Sequence, residues 1–271
     1  MTLGGRLGGV LTRTVALVGF VLIYAPFVVI VVLSFNDSPA ATLPFKGFSL
    51  RWYERLLGND AIIAAFGNTL LVGAIATIVS TTLGTVIALS LRRARFPGRS
   101  LYEFVLSLPF LLPEVIVGVA TLSFLLLAGI RLSLGTIILA HILVTLVVAE
   151  RTVAVRLAQI PASLEEASRD LGRSPIQTFF LITLPNLRSA LIAAALLVFT
   201  VSFDQTIITF LVAGTDQTLP TYVWAQVRRG FTPELNVVAA IFLIASSLLG
   251  LAIAWTLRGT GSPLKTGGGR P

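Results

Sequence analysis

The sequence predicts an all-α membrane protein with six transmembrane helices. Hydrophobic residues make up 55% of its 271 residues and charged residues only 12%, against roughly 25% in soluble domains. Its mean hydropathy is +0.93. The apolar runs reach the roughly 20 residues that cross a bilayer and lack the alternation typical of membrane β-strands. A soluble core would not bury this much apolar surface, so we place the chain in a membrane.

Six apolar runs define the spans. The first is longer than the 7–15-residue apolar region of a signal peptide, so we interpret it as a retained span, kinked near Pro26. The third is interrupted by Pro109 and Pro113. The predicted spans are Thr14–Ser34, Ala61–Leu91, Tyr102–Leu127, Leu134–Ala149, Ser189–Val212 and Leu235–Leu257. They form one domain, 14–257, between an N-terminal segment (1–13) and a flexible Gly/Pro-rich tail (258–271).

Two polar segments between spans contain further predicted helices. In Asn36–Asp60, Ser49 caps the short helix LRWYERLL, and in Thr215–Glu234, Pro220 precedes TYVWAQVRR.

The distribution of charge predicts the orientation of the chain. Six spans place both termini on one side of the membrane, and 14 of the 20 Lys and Arg residues fall on that side. The positive-inside rule therefore places both termini in the cytoplasm. The net charge of +8 follows from this topology and does not indicate nucleic-acid binding.

A polar segment, Pro161–Pro185, stands out between the fourth and fifth spans. Ser163 and Glu166 have the spacing of a capping box, which predicts a helix start. Gly172 is placed to end that helix, and Pro175 prevents its simple continuation. The predicted apolar stripe consists of Leu164, Ala167 and Leu171. From these residues alone, the segment is a helix connecting two spans.

The same segment resembles the EAA motif of the permeases of bacterial ABC importers. Glu166-Ala167-Ser168, Gly172, Ile182 and Leu184-Pro185 match its residues and gaps, with Ser168 in place of a second alanine. The resemblance implies a coupling helix, within a cytoplasmic region at 151–188, that docks on the ATP-binding subunit. The coupling residues that it implies are Glu166, Ala167, Ser168, Leu171, Gly172 and Pro185.

The resemblance extends over nearly the whole chain. Segments such as SFDQTIITFLVAG and TLPTYVWAQVRRGFTPELNVVAA look like the spermidine/putrescine-type subgroup. It implies the transmembrane domain of a type I ABC importer in the bacterial plasma (inner) membrane. The implied partners are a second permease subunit, an ATPase dimer that binds ATP and Mg²⁺, and an external substrate-binding protein. This chain would bind no cofactor or metal itself. The implied substrate is a polyamine or a similar small cation, with an opine or amino-acid derivative as the alternative.

Ionisable residues inside the spans mark candidate pathway positions. Asp204 lies in span 5, where a carboxylate is costly unless it faces a cavity or a partner. It either lines the passage or pairs with Arg188 or with the partner subunit. The subgroup usually has a second carboxylate after it, whereas this chain has Gln205. Glu114 follows Pro113 at a break in span 3, where its carboxylate either lines the pathway or bonds freed backbone groups.

The remaining polar residues indicate no catalytic site. We interpret His141 as a hydrogen-bonded packing residue, and we expect Glu150, near the cytoplasmic boundary, either to pair with Arg151 or to extend its carboxylate to the membrane surface. The sequence has no cysteine and one histidine, and no Gly-rich phosphate loop or nucleophile elbow is recognisable. The rival functions are a stand-alone secondary transporter, which would carry an inverted repeat that is not evident, and a membrane-embedded enzyme.

Overall fold

The helical architecture follows from the apolar runs. A computed structural model describes residues 3–39, 43–93, 96–230 and 232–258, and the predicted tail after position 258 lies outside them. Every regular element in these ranges is a helix, apart from one isolated β-bridge between Asn36 and Phe48. In the bilayer core a helix satisfies its own backbone hydrogen bonds, which is why long apolar runs adopt it.

The helices are, in chain order, α1 (Leu3–Ser34), α2 (Arg51–Leu57), α3 (Asp60–Arg93), α4 (Arg99–Leu111), α5 (Glu114–Leu127), α6 (Leu134–Ala158), α7 (Ala162–Asp170), α8 (Pro175–Thr178), a π-helical turn (Phe179–Thr183), α9 (Leu184–Asp204), α10 (Ile207–Val212), α11 (Leu219–Arg229) and α12 (Pro233–Arg258). The two short helices predicted between spans correspond to α2 and α11.

The six-span prediction is confirmed. Among the described residues, five helical stretches are long and apolar enough to cross a membrane, and the bent pair α4–α5 supplies a sixth. Helix α1 runs unbroken through Pro26, and the fourth span continues past its predicted end to Ala158. Its last turns are more polar, so hydropathy alone placed the boundary too early.

Two spans are interrupted by sharp breaks. Helices α4 and α5 meet at 104°, with the break at Leu112-Pro113, while Pro109 lies inside α4. The predicted continuous span Ser189–Val212 is wrong: α9 ends at Asp204, and α10 begins at Ile207. Backbone conformation changes at Gln205, where ψ is 109°. Hydropathy did not reveal this break because the residues on both sides are apolar.

The described residues divide into two compact units. One comprises residues up to 63 together with 223–247, and the other comprises 64–222 with the chain from 248. In the first unit, the segment after α1 folds back on the helix end. The Trp52 indole N–H donates to the Asn36 carbonyl at 3.0 Å, and the Tyr53 hydroxyl lies 2.7 Å from Ser34 Oγ.

The second unit is organised around α6, which packs along α9 and also contacts α4, α5 and α10. Its core is made of small and branched apolar side chains, including Ile137, Ala140, Val144 and Ile208. Between α3 and α6, Gly84 allows the backbones to approach closely. A Cβ atom at Gly84 would lie 2.7 Å from the Glu150 backbone nitrogen and 2.8 Å from Ala149 Cβ. Close backbone packing through small residues is typical of membrane helices.

This close approach makes Gly84 a sensitive packing position. We expect Gly84→Ala to cost about 1–3 kcal/mol, because the added methyl group meets the α6 backbone, which cannot move aside. Gly67→Ala, on the same helix with open space around its Cβ position, should change stability by less than about 1 kcal/mol. Thermal unfolding of the purified protein in detergent compares the two variants. Equal midpoints would contradict the packing assignment.

Candidate functional site

The polar segment between the fourth and fifth spans forms α7, a tight turn, α8 and the π-helical turn that leads into α9. The predicted capping box of Ser163 and Glu166 is wrong. The helix cap is Pro161, with φ −60° and ψ 135°, and its side chain makes no capping bond. Because proline presets the helical φ and needs no hydrogen-bond partner there, α7 begins before Ser163. A capping box does form at α8, between Ser174 and Gln177.

Gly172 ends α7 as predicted. Its φ is +81°, a conformation that residues with a Cβ rarely adopt. The Gly172 N–H donates to the Arg169 carbonyl at 2.8 Å, and the Arg173 N–H donates to the Ser168 carbonyl at 3.3 Å. This pair of bonds is a Schellman motif, which satisfies carbonyls at the helix end and reverses the chain toward α8.

The apolar face of α7 points outward. Leu171 is 82% exposed, and on α8 Ile176 is 70% exposed; Leu164 is also exposed. The exposed members of the predicted coupling set are Glu166, Ala167, Leu171, Gly172 and Pro185. Ser168 is the buried member. Exposed apolar side chains grouped within a polar segment are typical of an interaction surface.

Glu165 anchors the buried face of α7, and our sequence analysis missed it. Its side chain is 8% exposed. Arg93 donates to Oε2 at 2.7 Å, Arg92 donates to Oε1 at 3.3 Å, and the Thr183 hydroxyl donates to Oε1 at 3.0 Å. Arg92 also donates to the Ile160 carbonyl at 2.9 Å. The carboxylate therefore ties α7 to the end of α3 and to the π-helical turn before α9.

The ionic environment of Glu165 stabilises its charged form. Burial alone would raise its pKa, but hydrogen bonds from Arg93 and Thr183 and the charges of Arg93 and Arg92 lower the pKa below its ordinary value of 4.5. The two arginines are among the 14 basic residues that the sequence analysis used only to orient the chain in the membrane. The spacing of Glu165 and Ser168, three residues apart on one helix face, was the available signal.

Ser168, which departs from the family motif, has a defined contact. Its hydroxyl lies 3.0 Å from the Thr178 hydroxyl, and both side chains are buried. The bond joins α7 to the end of α8 across the turn at Gly172. The buried face of the segment is thus held by hydrogen bonds as well as by ion pairs.

The predicted pathway residues come together at one cavity of about 430 Å³. The side chains that line it are Glu114, Thr200, Val201, Asp204, Gln205, Thr206 and Ile207. Glu114 is the first residue of α5, and Pro113 precedes it as the helix cap. Asp204 is the last residue of α9. Two helix breaks and two carboxylates therefore meet in the same place.

The electrostatics of this cavity favour a cation. Both carboxylates border the cavity. The negative end of the α9 dipole lies beside Asp204, and the positive end of α5, beside Glu114, partly offsets it. The alternative pairing of Asp204 with Arg188 does not occur, because the two positions are 16 residues apart in α9, about 24 Å along the helix. The Asp204 carbonyl accepts a hydrogen bond from the Thr206 hydroxyl at 3.1 Å, so part of the freed backbone is satisfied locally.

Two other polar residues follow their predicted interpretations. His141 is buried, and each of its ring nitrogens is hydrogen-bonded with a hydroxyl group. Glu150 is buried in α6 and pairs with Arg151 at 3.4 Å. Within the described ranges, no group of three or more His, Cys, Asp or Glu side chains is arranged to hold a metal ion.

Comparisons with known proteins agree with this architecture. The family described as binding-protein-dependent transport system inner membrane component matches residues 80–258. The chain is 38% identical to the putrescine transport system permease protein PotI of Escherichia coli, over 90% of this chain and 89% of that protein. It is 32% identical to the spermidine/putrescine transport system permease protein PotC of Haemophilus influenzae, over 84% and 88% respectively.

A solved structure shares the fold. The chain resembles a bacterial alginate ABC transporter in complex with its alginate pentasaccharide-bound periplasmic protein, with a TM-score of 0.69 and 17% identity. The match covers 96% of this chain and 98% of that chain.

Adjacent glutamates allow a controlled test of the anchor. We expect Glu165→Gln to destabilise the protein by about 1–3 kcal/mol, because it leaves the partly buried Arg92 and the more exposed Arg93 without their counter-charge. Glu166→Gln, the same change at the next, exposed residue, should alter stability by at most about 0.5 kcal/mol. Denaturant unfolding in detergent measures both variants, and equal effects would refute the anchor.

The contribution of Glu165 to folding stability should fall as the pH becomes strongly acidic. Because folding lowers the Glu165 pKa, its stabilisation is fully present above the ordinary value of 4.5 and is lost as pH falls through the lowered folded value. The stability difference between the parent protein and Glu165→Gln should therefore be largest near neutral pH and shrink in strong acid.

Proposed function

The chain belongs to the binding-protein-dependent transport inner membrane component family, and we propose that it is the permease through which an ATP-driven importer carries polyamines. It is a multi-pass inner-membrane permease, and its relatives are transport proteins rather than enzymes. The observation that carries the substrate proposal is the cavity in which Glu114 and Asp204 meet at two helix breaks.

A cationic substrate suits this cavity. Polyamines carry two or more positive charges spaced along a flexible apolar chain, and the cavity offers two carboxylates together with the negative end of α9. Broken helices beside water-filled space are the membrane protein's usual way to expose backbone carbonyls to cations. The names of the relatives PotI and PotC support the same substrate class. Gln205 replaces a second carboxylate, so the cavity offers less negative charge than the subgroup pattern.

The segment α7–α8 serves in this proposal as the docking surface for the ATPase. Its exposed apolar side chains would fill a cleft in that partner, and its buried face is fixed to α3 and the start of α9 through Glu165. Movement imposed on the segment would therefore reach two spans through ion pairs and hydrogen bonds. The arginine bias supports placing this segment and both termini in the cytoplasm.

The transport cycle that we propose is alternating access. Two permease subunits form the passage, and an ATPase dimer binds ATP and Mg²⁺, while this chain binds neither. Closure of the dimer draws the two coupling segments together and opens the passage outward. An external binding protein then delivers the substrate, and hydrolysis restores the inward-facing state.

Gly172 tests the coupling assignment. We expect Gly172→Val to reduce uptake by on the order of tenfold while the complex assembles and hydrolyses ATP, because a β-branched residue is strained at φ +81° and distorts the turn. The matched control is Gly98→Val, which has a similar φ of +89° and equally open space but lies outside the segment. Uptake and ATPase activity of the reconstituted complex are measured together. Normal uptake by Gly172→Val would remove the coupling assignment.

Asp204 tests the substrate assignment. A carboxylate about 5 Å from an ammonium group contributes about 3 kcal/mol at an effective dielectric constant near 20, before screening. We expect Asp204→Asn to lower the transport efficiency for putrescine by on the order of tenfold and Asp204→Glu to retain most of it. The effect should be larger for a dication than for a neutral solute. Equal transport of putrescine by all three proteins would refute the cationic pathway.

A further inference from the structure

The single histidine of the chain lies beside the break between α9 and α10. His141, in α6, is 2% exposed. Its Nδ1 lies 2.7 Å from Ser202 Oγ, in the last turn of α9, and its Nε2 lies 2.8 Å from Thr209 Oγ1, in α10. One rigid ring therefore contacts both helices, on either side of the interrupted segment.

The hydrogen-bond pattern determines where the ring proton lies. The Thr209 hydroxyl donates its only proton to the Gln205 carbonyl at 2.7 Å. It must therefore accept from His141, so Nε2 carries the proton. In the neutral ring Nδ1 then accepts from the Ser202 hydroxyl. The bonds form one directed chain from Ser202 through His141 and Thr209 to the backbone of Gln205.

This series of hydrogen bonds fixes the backbone at the break between α9 and α10. Gln205 directly follows the end of α9. The residue borders the cavity but is only 6% exposed. Asp204 lies between Ser202, two residues before it, and Gln205, directly after it, and both of these residues are held by hydrogen bonds that connect through the His141 ring. A ring with a donor and an acceptor on opposite sides joins the two hydroxyls, whereas an apolar side chain of similar size would fill the space without joining them.

We propose that His141 is a positioning residue for transport, which holds the non-helical segment Gln205-Thr206 after α9 so that the Asp204 carboxylate faces the cavity. The inference rests on the proposed function of that cavity. His141 itself does not line the cavity, so it acts through the backbone that it holds. Ser202 and Thr209 are the groups through which it acts.

A matched control exists one turn away on the same helix. The Thr145 hydroxyl lies 2.8 Å from Ser80 Oγ, in a buried bond between α6 and α3. Thr145→Val removes this bond and the bond that the Thr145 hydroxyl donates to the His141 backbone carbonyl at 2.7 Å, while it leaves the His141 ring and its contacts with α9 and α10 in place. If burial and packing alone mattered, it would have the same consequences as His141→Leu.

The first measurement reports how accessible position 205, at the break, is to a thiol reagent. The chain contains no cysteine, so Gln205→Cys introduces one reporter thiol into it. In the complete transporter, we expect a membrane-impermeant maleimide to label this subunit slowly with His141 present and on the order of tenfold faster with His141→Leu. His141→Gln, which keeps one donor and one acceptor, should restore slow labelling, and Thr145→Val should leave it slow. An unchanged rate with His141→Leu, or an equal rise with Thr145→Val, would overturn the proposal.

The second measurement separates this proposal from the function on which it rests. With Gln205 restored, His141→Leu should raise the putrescine concentration for half-maximal uptake severalfold, and His141→Gln should largely reverse that rise. Thr145→Val should leave it unchanged. If labelling rises as expected but putrescine uptake is unaffected, the positioning role stands and the cavity is not the transport path. If neither labelling nor uptake changes, the positioning role itself is wrong.

Discussion

The absence of water in the bilayer core is the constraint on which this structure depends, because every backbone polar group there needs a partner within the protein. Continuous helices meet the requirement alone, whereas the breaks at Pro113 and Gln205 do not. Both breaks are therefore found together in the second unit, where side-chain hydroxyls and a cavity surround them. The Thr209 hydroxyl donates a hydrogen bond to the Gln205 carbonyl, and the Thr136 hydroxyl donates one to the Val212 carbonyl at 2.7 Å. Polar chemistry is concentrated where helical bonding stops.

Different forces hold the helices together in the middle of the second unit and at its polar segment. In its middle, helices approach through small residues such as Gly84, because apolar side chains gain little by leaving lipid for protein. At the polar segment, the ion pairs of Glu165 hold α7 to the end of α3. Helix α3 in turn packs against α6, the helix that carries His141. A contiguous set of contacts therefore runs from the proposed ATPase surface on α7 through α3 and α6 to α9 and α10 at the cavity.

The sequence was sufficient for the parts of the fold that depend on composition and failed where single contacts decide. Hydropathy predicted six spans, and the glycine at position 172 predicted the turn, because its positive φ is a local requirement. Hydropathy did not predict the break at Gln205, since the three polar residues at 204–206 are averaged with the long apolar runs on either side. Glu165 was missed because its partners are 72 and 18 residues away along the chain. Its three-residue spacing from Ser168 places both residues on one helix face but does not reveal those distant partners.

The two faces of α7 explain how so short a helix can serve as a mechanical joint. A helix of nine residues is unstable by itself, so its conformation must be imposed by its contacts. Its polar face carries those contacts to the protein's own spans, and its apolar face is left exposed, which is the reverse of an ordinary surface helix. In the proposed cycle, the interface with the ATPase is thus separate from the anchor that transmits its movement. The partner can rearrange over the apolar surface while Glu165 keeps the helix attached to both spans.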